Sequence, residues 1–207
     1  MPSIYQLKPA FQRLLRPLVN AVARMGVTAN QVTIAAVVLA AAVGIAVGCC
    51  DDSRVLLLLP LALLLRMALN AIDGMLAREH AQASKLGAIL NELGDVVADA
   101  AMYLPLALRP GFPSAAIVLF VVLGIIVEMT GVIGVQMGAG RRYDGFGKSD
   151  RAVVIGVAGL MLGLGFGASH LNGFGVVLWL CCIGSVVAII TRARRSLAEV
   201  RAKEGSA

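Results

Sequence analysis

The stretch Asn70-Ala71-Ile72-Asp73-Gly74-Met75-Leu76-Ala77-Arg78 is followed, after eight residues, by Gly87-Ala88-Ile89-Leu90-Asn91-Glu92-Leu93-Gly94-Asp95, with Asp99 one step further. These residues close one long apolar run (55–76) and open the next (86–108). Ionisable groups inside such runs are costly, so they mark function by default. Gly87, Asn91, Asp95 and Asp99 recur every four residues. At 3.6 residues per turn this stacks them on one slowly drifting helix face. Asn70 and Asp73 share a face of the preceding helix. The joint between the runs is short, so the two helices are antiparallel. Two carboxamides and two or three carboxylates therefore meet near one end of the pair.

Working outward, six runs have roughly the 20 apolar residues a membrane-spanning helix needs. They are 31–50, 55–76, 86–108, 114–139, 152–168 and 173–191. The 207 residues are 59% hydrophobic and 14% charged, and mean hydropathy is +0.87. This excludes a water-soluble globule and a disordered chain. The runs are continuous rather than alternating, which excludes a membrane β-barrel. The expected fold is an all-α integral membrane protein, one domain over 1–207. Residues 1–25 form an interfacial helix, 26–191 a bundle of six transmembrane helices and 192–207 a basic tail whose short helix frays.

Within 4–24, Ile4, Leu7, Phe11, Leu14, Leu15, Leu18 and Val22 recur at helical spacing, with Lys8, Arg13, Arg16 and Arg24 around much of the remaining surface. That is a basic amphipathic helix for a membrane surface, with Pro9 and Pro17 as points of kinking or division. It lacks the compact apolar core and cleavage site of a signal peptide. Of the 18 Lys and Arg residues, all but Arg54, Arg66 and Arg109 fall in the N-terminal segment, the loops after the second and fourth runs, and the tail. The bias puts both termini and the polar cluster on the cytoplasmic side, of the inner membrane in a bacterium. It also accounts for the net charge of +6 without nucleic acid. Cys49–Cys50 and Cys181–Cys182 are adjacent pairs, unsuited to a disulfide framework or a zinc site, and read as small apolar residues.

Hard oxygen ligands on facing helices suit Mg²⁺ or Mn²⁺. Gly74 and Gly87 let a bulky ligand approach the backbone, and Arg78, near Asp73, is placed to meet a phosphate. The alternative is a buried polar network that only holds two spans together.

At these residues the sequence resembles the CDP-alcohol phosphotransferases (CDP-alcohol phosphatidyltransferases). Their signature is D-x-x-D-G-x-x-A-R, a short spacer, then G-x-x-x-D-x-x-x-D. Spacing agrees throughout, and the departures are Asn70 and Asn91 at the first and third acidic positions. Gly26-Val27-Thr28-Ala29-Asn30-Gln31-Val32-Thr33 also resembles the family's T-P-N segment, with Ala29 in place of proline. The resemblance implies transfer of a phosphatidyl group from CDP-diacylglycerol to a small alcohol, with release of CMP and with Mg²⁺ or Mn²⁺ as cofactor. It implies that Asp73 and Asp95 ligate metal and that Asp95 is the general base. Gly74, Ala77, Arg78 and Gly87 line the CMP site. Asn70 and Asn91 can ligate but do not neutralise, so the signature keeps two of its four negative charges. Asp99, one turn deeper than Asp95, is the favoured compensating ligand, ahead of Glu92.

Three further features carry expectations. Arg66, one turn before Asn70, either touches a phosphate or forms a buried ion pair with Glu128; Glu128 could instead join the site. Arg141, Arg142, Lys148 and Arg151, with interspersed glycines, either bind a phosphate on the acceptor, as in glycerol 3-phosphate, or serve topology alone. The segment is not a P-loop, because position 142 is Arg. Gly156, Gly159, Gly163 and Gly167 suggest close helix packing or homodimer contact. Two other classes compete with an enzyme. A small transporter is disfavoured because no inverted repeat is seen. A catalytically silent CDP-lipid-binding homologue is suggested by the two asparagines.

Overall fold

The computed structural model describes residues 4–166 and 171–205. Gly167, His170 and the end of the 152–168 run lie outside the described residues. The chain is all-helical, and no strand occurs among the described residues. In order the helices are α1 (Ile4–Arg24), α2 (Ala29–Cys49), α3 (Leu58–Glu79), α4 (Lys85–Tyr103), α5 (Ser114–Gln136), α6 (Lys148–Gly163) and α7 (Leu171–Glu204). Short 3₁₀ turns precede α3 (Ser53–Leu57) and follow α4 (Leu104–Leu108). Among the described residues, four helices are long and apolar enough to cross a bilayer: α2, α3 with its preceding turn, α5 and α7. The other two expected spans are different in kind. Glu92, Asp95 and Asp99 interrupt α4, and α6 has 16 residues.

Boundaries differ from the apolar runs where local chemistry decides them. Thr28 caps α2: its hydroxyl accepts from Gln31 N at 3.3 Å, and the Gln31 side chain accepts from Thr28 N at 2.9 Å. This is a capping box, and Ala29 stands where a helix would accept proline. α4 stops just before Pro105, which cannot donate to a continuing helix. α6 starts at Lys148, ahead of its apolar run, because the Asp150 carboxylate accepts from Gly147 N at 2.8 Å. The tail is not a separate short helix. α7 runs 34 residues to Glu204, about 51 Å at 1.5 Å per residue, well beyond a hydrocarbon core of about 30 Å.

α1 is continuous through Pro9 and Pro17. It lies on α3, where Leu15, Val19 and Val22 pack in a cluster with Ile72, Met75 and Leu76. Arg16 Nη2 and Glu79 Oε1 close the contact at 2.9 Å. Leu14 and Leu18, on the apolar face expected at the membrane surface, are exposed. Part of the apolar face is thus taken by α3, which the sequence reading did not foresee, while Leu14 and Leu18 face outward.

α2 sits between α3 and α4. A Cβ at Gly44 would fall 1.9 Å from Ala101 O, so the α2 and α4 backbones touch there. α5 pairs with α7, and α6 with α3. Gly159 and Gly163 meet Leu56, Leu57 and Leu59 of the same chain, which gives these small residues an intramolecular role. Met102, Tyr103, Phe120 and Leu178 fill the centre. Leu61, Leu64, Leu180 and Ile183 are exposed apolar side chains; on helices of this length they face lipid. All four cysteines are free thiols, as the sequence implied.

Candidate active site

The α3–α4 hairpin brings the signature residues together. Asn70 Nδ2 donates to Asp95 Oδ1 at 3.0 Å across the pair. Asp73 is 6% exposed, and its Oδ2 accepts from Thr33 Oγ1 of α2 at 2.9 Å. The hairpin turn is stitched to α2 through Gln82, whose Oε1 accepts from Ala29 N at 2.7 Å. Ser84 caps α4 by accepting from Gly87 N at 2.9 Å.

These contacts enclose a cavity of about 330 Å³ whose wall includes Asn30, Asn70, Asp73, Gly74, Arg78, Gly87 and Asn91. A Cβ at Gly87 would lie 2.9 Å from Asn30 Oδ1 and 3.0 Å from Ser84 Oγ, so any side chain there would press into this wall. Ala77 lines the same cavity. Arg78 is exposed at the rim with its guanidinium over Gly74. No carboxylate pairs with it among the described residues.

Asn91 also borders a second cavity, of about 300 Å³, on the far side of α4. Its wall contains Glu92, Asp95, Glu128, Arg141, Lys148 and Arg192. The Lys148 ammonium contacts Asp95 Oδ1, and Arg66 Nη2 stands 4.0 Å from the same oxygen. A third, apolar groove of about 550 Å³ runs between α3 and α6 and ends at Arg66, Asn70, Asp99, Lys148 and Ser149.

Asp99 lies away from the first cavity. Arg66 Nη1 donates to its Oδ1 at 2.8 Å, and Arg151 Nη2 stands 3.5 Å from its Oδ2. Both carboxylate oxygens therefore face guanidinium groups, and Arg66 and Arg151 are themselves 4% and 3% exposed. The charge offered at this depth is already neutralised, which removes the reason for expecting Asp99 beside a metal. Arg66 is a buried ion pair as one reading held, but its partner is Asp99 rather than Glu128.

Glu128 is the centre of a different group, between Arg151 Nη2 at 3.4 Å, Arg141 Nη2 at 3.5 Å and Arg192 Nη1 at 3.8 Å. Arg141 also donates to Glu92 at 2.8 Å, so Glu92 is held by Arg141. Arg142 turns to α7 and donates to Glu199 at 2.6 Å. Gly124 has no Cβ because Arg151 passes there; a Cβ would fall 2.9 Å from its Nε. All four cations of the 141–151 segment thus have carboxylate partners.

Sequence reasoning grouped Arg192 with the topogenic tail. The structure buries it at 1% exposure, donating to Val127 O at 2.9 Å and Asp144 O at 3.0 Å. Its one sequence signal is its place directly after the last apolar run. Thr33, which holds Asp73, was visible only as the end of the Thr28–Thr33 segment.

A helix pair carrying this signature, joined to a capped α2 and a basic segment before α6, defines a class. A family model described as CDP-alcohol phosphatidyltransferase matches residues 26–190, and the chain belongs to that family. Among individual relatives, it is 44% identical over 163 residues to the inner membrane protein YnbA of Escherichia coli (strain K12), covering 78% of this chain and 81% of that one. Solved structures share the fold. Phosphatidylinositol phosphate synthase (PgsA1) of Mycobacterium tuberculosis with CDP-DAG bound superposes with a TM-score of 0.75 at 20% identity, over 91% of this chain and 94% of the other. The same enzyme in complex with manganese and citrate gives 0.74 at 20% identity, over 87% and 88%.

Proposed function

We propose that the protein transfers a phosphatidyl group from CDP-diacylglycerol to an alcohol hydroxyl and releases CMP. The observation that carries this reading is that the three cavities share walls in pairs around Asp95: Asn70 lines the first and third, Asn91 the first and second, and Lys148 the second and third, while Asp95 lines the second. The Gly74/Arg78/Gly87 cavity suits the nucleotide and its phosphates. The α3–α6 groove suits an acyl chain. The Asp95/Glu128 cavity suits the acceptor. The phosphorus attached to the lipid then falls at the junction of these shared walls, beside Asp95.

Asp73 and Asp95, with the amide oxygens of Asn70 and Asn91, are hard donors that suit Mg²⁺ or Mn²⁺. Among the described residues no three His, Cys, Asp or Glu side chains gather as a metal site, so the set fits one divalent ion better than two. When bound, the ion supplies charge neutralisation for the pyrophosphate. The chain's own residues do the rest. Thr33 fixes the Asp73 carboxylate, and Arg78 reaches the phosphates from the rim. Asp95 takes the proton of the attacking hydroxyl, and the Lys148 ammonium in contact with it balances its charge before attack. The new bond joins the acceptor oxygen to phosphorus, and the bond to CMP breaks with its electron pair on the nucleotide.

The topology belongs to the same proposal. α4 and α6 cross the membrane with the four longer helices, making six spans. α1 lies along the surface, and the termini and the junction face the cytoplasm at the inner membrane. Asp95's contacts with Asn70 and Lys148 favour a second reading, a homologue that binds CDP-lipid without turnover. The test is CMP release from CDP-diacylglycerol in mixed micelles, with a panel of alcohols and added Mg²⁺ or Mn²⁺. Alcohol-dependent CMP release supports transfer; donor binding with no CMP from any alcohol supports the silent homologue.

A further inference from the structure

The charge of the second cavity limits what it can hold. Seven side chains on its wall decide the matter: Glu92, Asp95, Glu128, Asp150, Arg141, Lys148 and Arg192. Four are acidic and three basic. Each base is already engaged: Arg141 by Glu92 and Glu128, Lys148 by Asp95, and Arg192 by Glu128 and two backbone carbonyls. Arg151, behind the wall, is shared between Asp99 and Glu128, and Arg142 is bound to Glu199 outside it. A phosphate monoester carries nearly two negative charges near neutral pH. Entering here, it would displace carboxylates from their guanidinium partners and leave Glu128, 13% exposed, beside it. Like charges at such separations repel strongly in a partly buried site. An uncharged polyol meets no such penalty. Hydroxyls can donate to the outer lone pairs of Glu92, Glu128 and Asp150 and accept from Ser149 or Tyr143, which also line the cavity.

We infer that the acceptor is an uncharged polyhydroxy alcohol and not its phosphorylated counterpart. This inference rests on the transfer reading above and makes it specific. One hydroxyl faces Asp95, forms the bond to phosphorus and gives Asp95 its proton, while the others bind the Glu92–Glu128 side. The carboxylates thereby act as specificity-determining groups that exclude phosphate from a site whose sequence suggests it.

The experiment compares glycerol with glycerol 3-phosphate, and inositol with inositol phosphate, using full-length protein and CDP-diacylglycerol in mixed micelles. Binding of each acceptor is measured in parallel by ligand-observed NMR. The expected result is CMP release with the unphosphorylated member, preferred by at least about tenfold in kcat/KM, a difference of about 1.4 kcal/mol. Glu92→Gln, at the rim, frees Arg141 in part and should narrow that preference; Glu128→Gln should narrow it further. Glu92→Gln keeps the test open if Glu128→Gln does not fold. A preference for the phosphorylated member, lost in Arg141→Ala, overturns the inference while leaving the transfer reading intact. If no acceptor releases CMP, the transfer reading fails and the binding arm decides. Arg141-dependent binding of glycerol 3-phosphate overturns the cavity assignment, and its absence sustains it.

Discussion

Asp99→Asn separates a structural carboxylate from a metal ligand. In the folded protein the Asp99 charge faces Arg66 at 2.8 Å and Arg151 at 3.5 Å. With an effective dielectric constant near 20, these separations correspond to about 6 and about 5 kcal/mol of Coulombic attraction. Much of this is offset by the cost of burying the carboxylate, a cost that the substitution also removes. What remains is the price of leaving two guanidinium groups, each nearly inaccessible, with one fewer counter-charge. Breaking a buried pair from one side costs about 3–5 kcal/mol. Asp99→Asn should therefore lower stability by that amount in SDS titration of the protein in mixed micelles, while Mn²⁺ affinity by electron paramagnetic resonance stays within about threefold, under 1 kcal/mol. Adding Arg66→Met should recover more than half of the loss, because Arg151 keeps Glu128 at 3.4 Å. A variant that unfolds like wild type but no longer binds Mn²⁺ would refute this assignment and restore Asp99 to the metal set.

Asp73→Asn and Asp95→Asn should each cut CMP release by at least about a hundredfold, equivalent to about 2.8 kcal/mol of barrier, with the fold retained; activity within about threefold of wild type for both excludes the assignment. Gly87→Ala should raise the donor KM with little effect on acceptor KM, because its Cβ meets Asn30 and Ser84 in the first cavity; equal changes in both would place the donor elsewhere. Cys49 and Cys50 are exposed at the end of α2 remote from Thr28, whereas Cys181 and Cys182 are buried. A membrane-impermeant maleimide should label the first pair from the periplasmic side of spheroplasts and spare the second. Labelling only after lysis would invert the proposed topology. Donor-free protein should bind at most one Mn²⁺ tightly, and Asn70→Asp with Asn91→Asp should tighten binding of a second. Two tight sites in the wild type would contradict the charge argument.

The helical pairing was legible because it rests on periodicity. Gly87, Asn91 and Asp95 share a face at any register, and a short joint makes α3 and α4 antiparallel; that α2 lies between them, with the Asn70–Asp95 hydrogen bond as a bridge, was not legible. Helix ends were less legible, since they depend on single hydrogen bonds: the Asp150 carboxylate on Gly147 N extends α6 backwards past its apolar run, and nothing stops α7 at Thr191. The partner of each charge was not legible at all. Along the chain Arg66 is followed by Asp73, Glu92, Asp95, Asp99 and Glu128, and separation in sequence does not say which of them is in reach. Only the packing of α3, α4 and α6 decides that Asp99 is in reach and Glu128 is not.

The same limit explains the basic segment. Read along the chain, Arg141, Arg142, Lys148 and Arg151 are four cations without a nearby carboxylate except Asp144 and Asp150, which suits either an anion site or topology alone. Their counter-charges arrive from Glu92 and Asp95 on α4, Asp99 deeper on the same helix, Glu128 on α5 and Glu199 on α7. Asn70 and Asn91 belong to this arrangement. With carboxylates at those positions, Asp95 would stand among three like charges and compete for Lys148 with each. With amides, Asn70 donates to Asp95, and Lys148 is left to that one carboxylate. The loss of two charges in the signature and the pairing of the basic segment are then two sides of one charge balance. Asn70→Asp with Asn91→Asp should draw Lys148 away from Asp95 and set added like charges around that carboxylate. In the metal-free protein the double variant should be less stable to SDS titration than wild type, and added Mn²⁺ should restore more stability to the variant than to wild type. Equal stability of the two proteins in both conditions would show that Asp95 and the two amide positions are not electrostatically coupled.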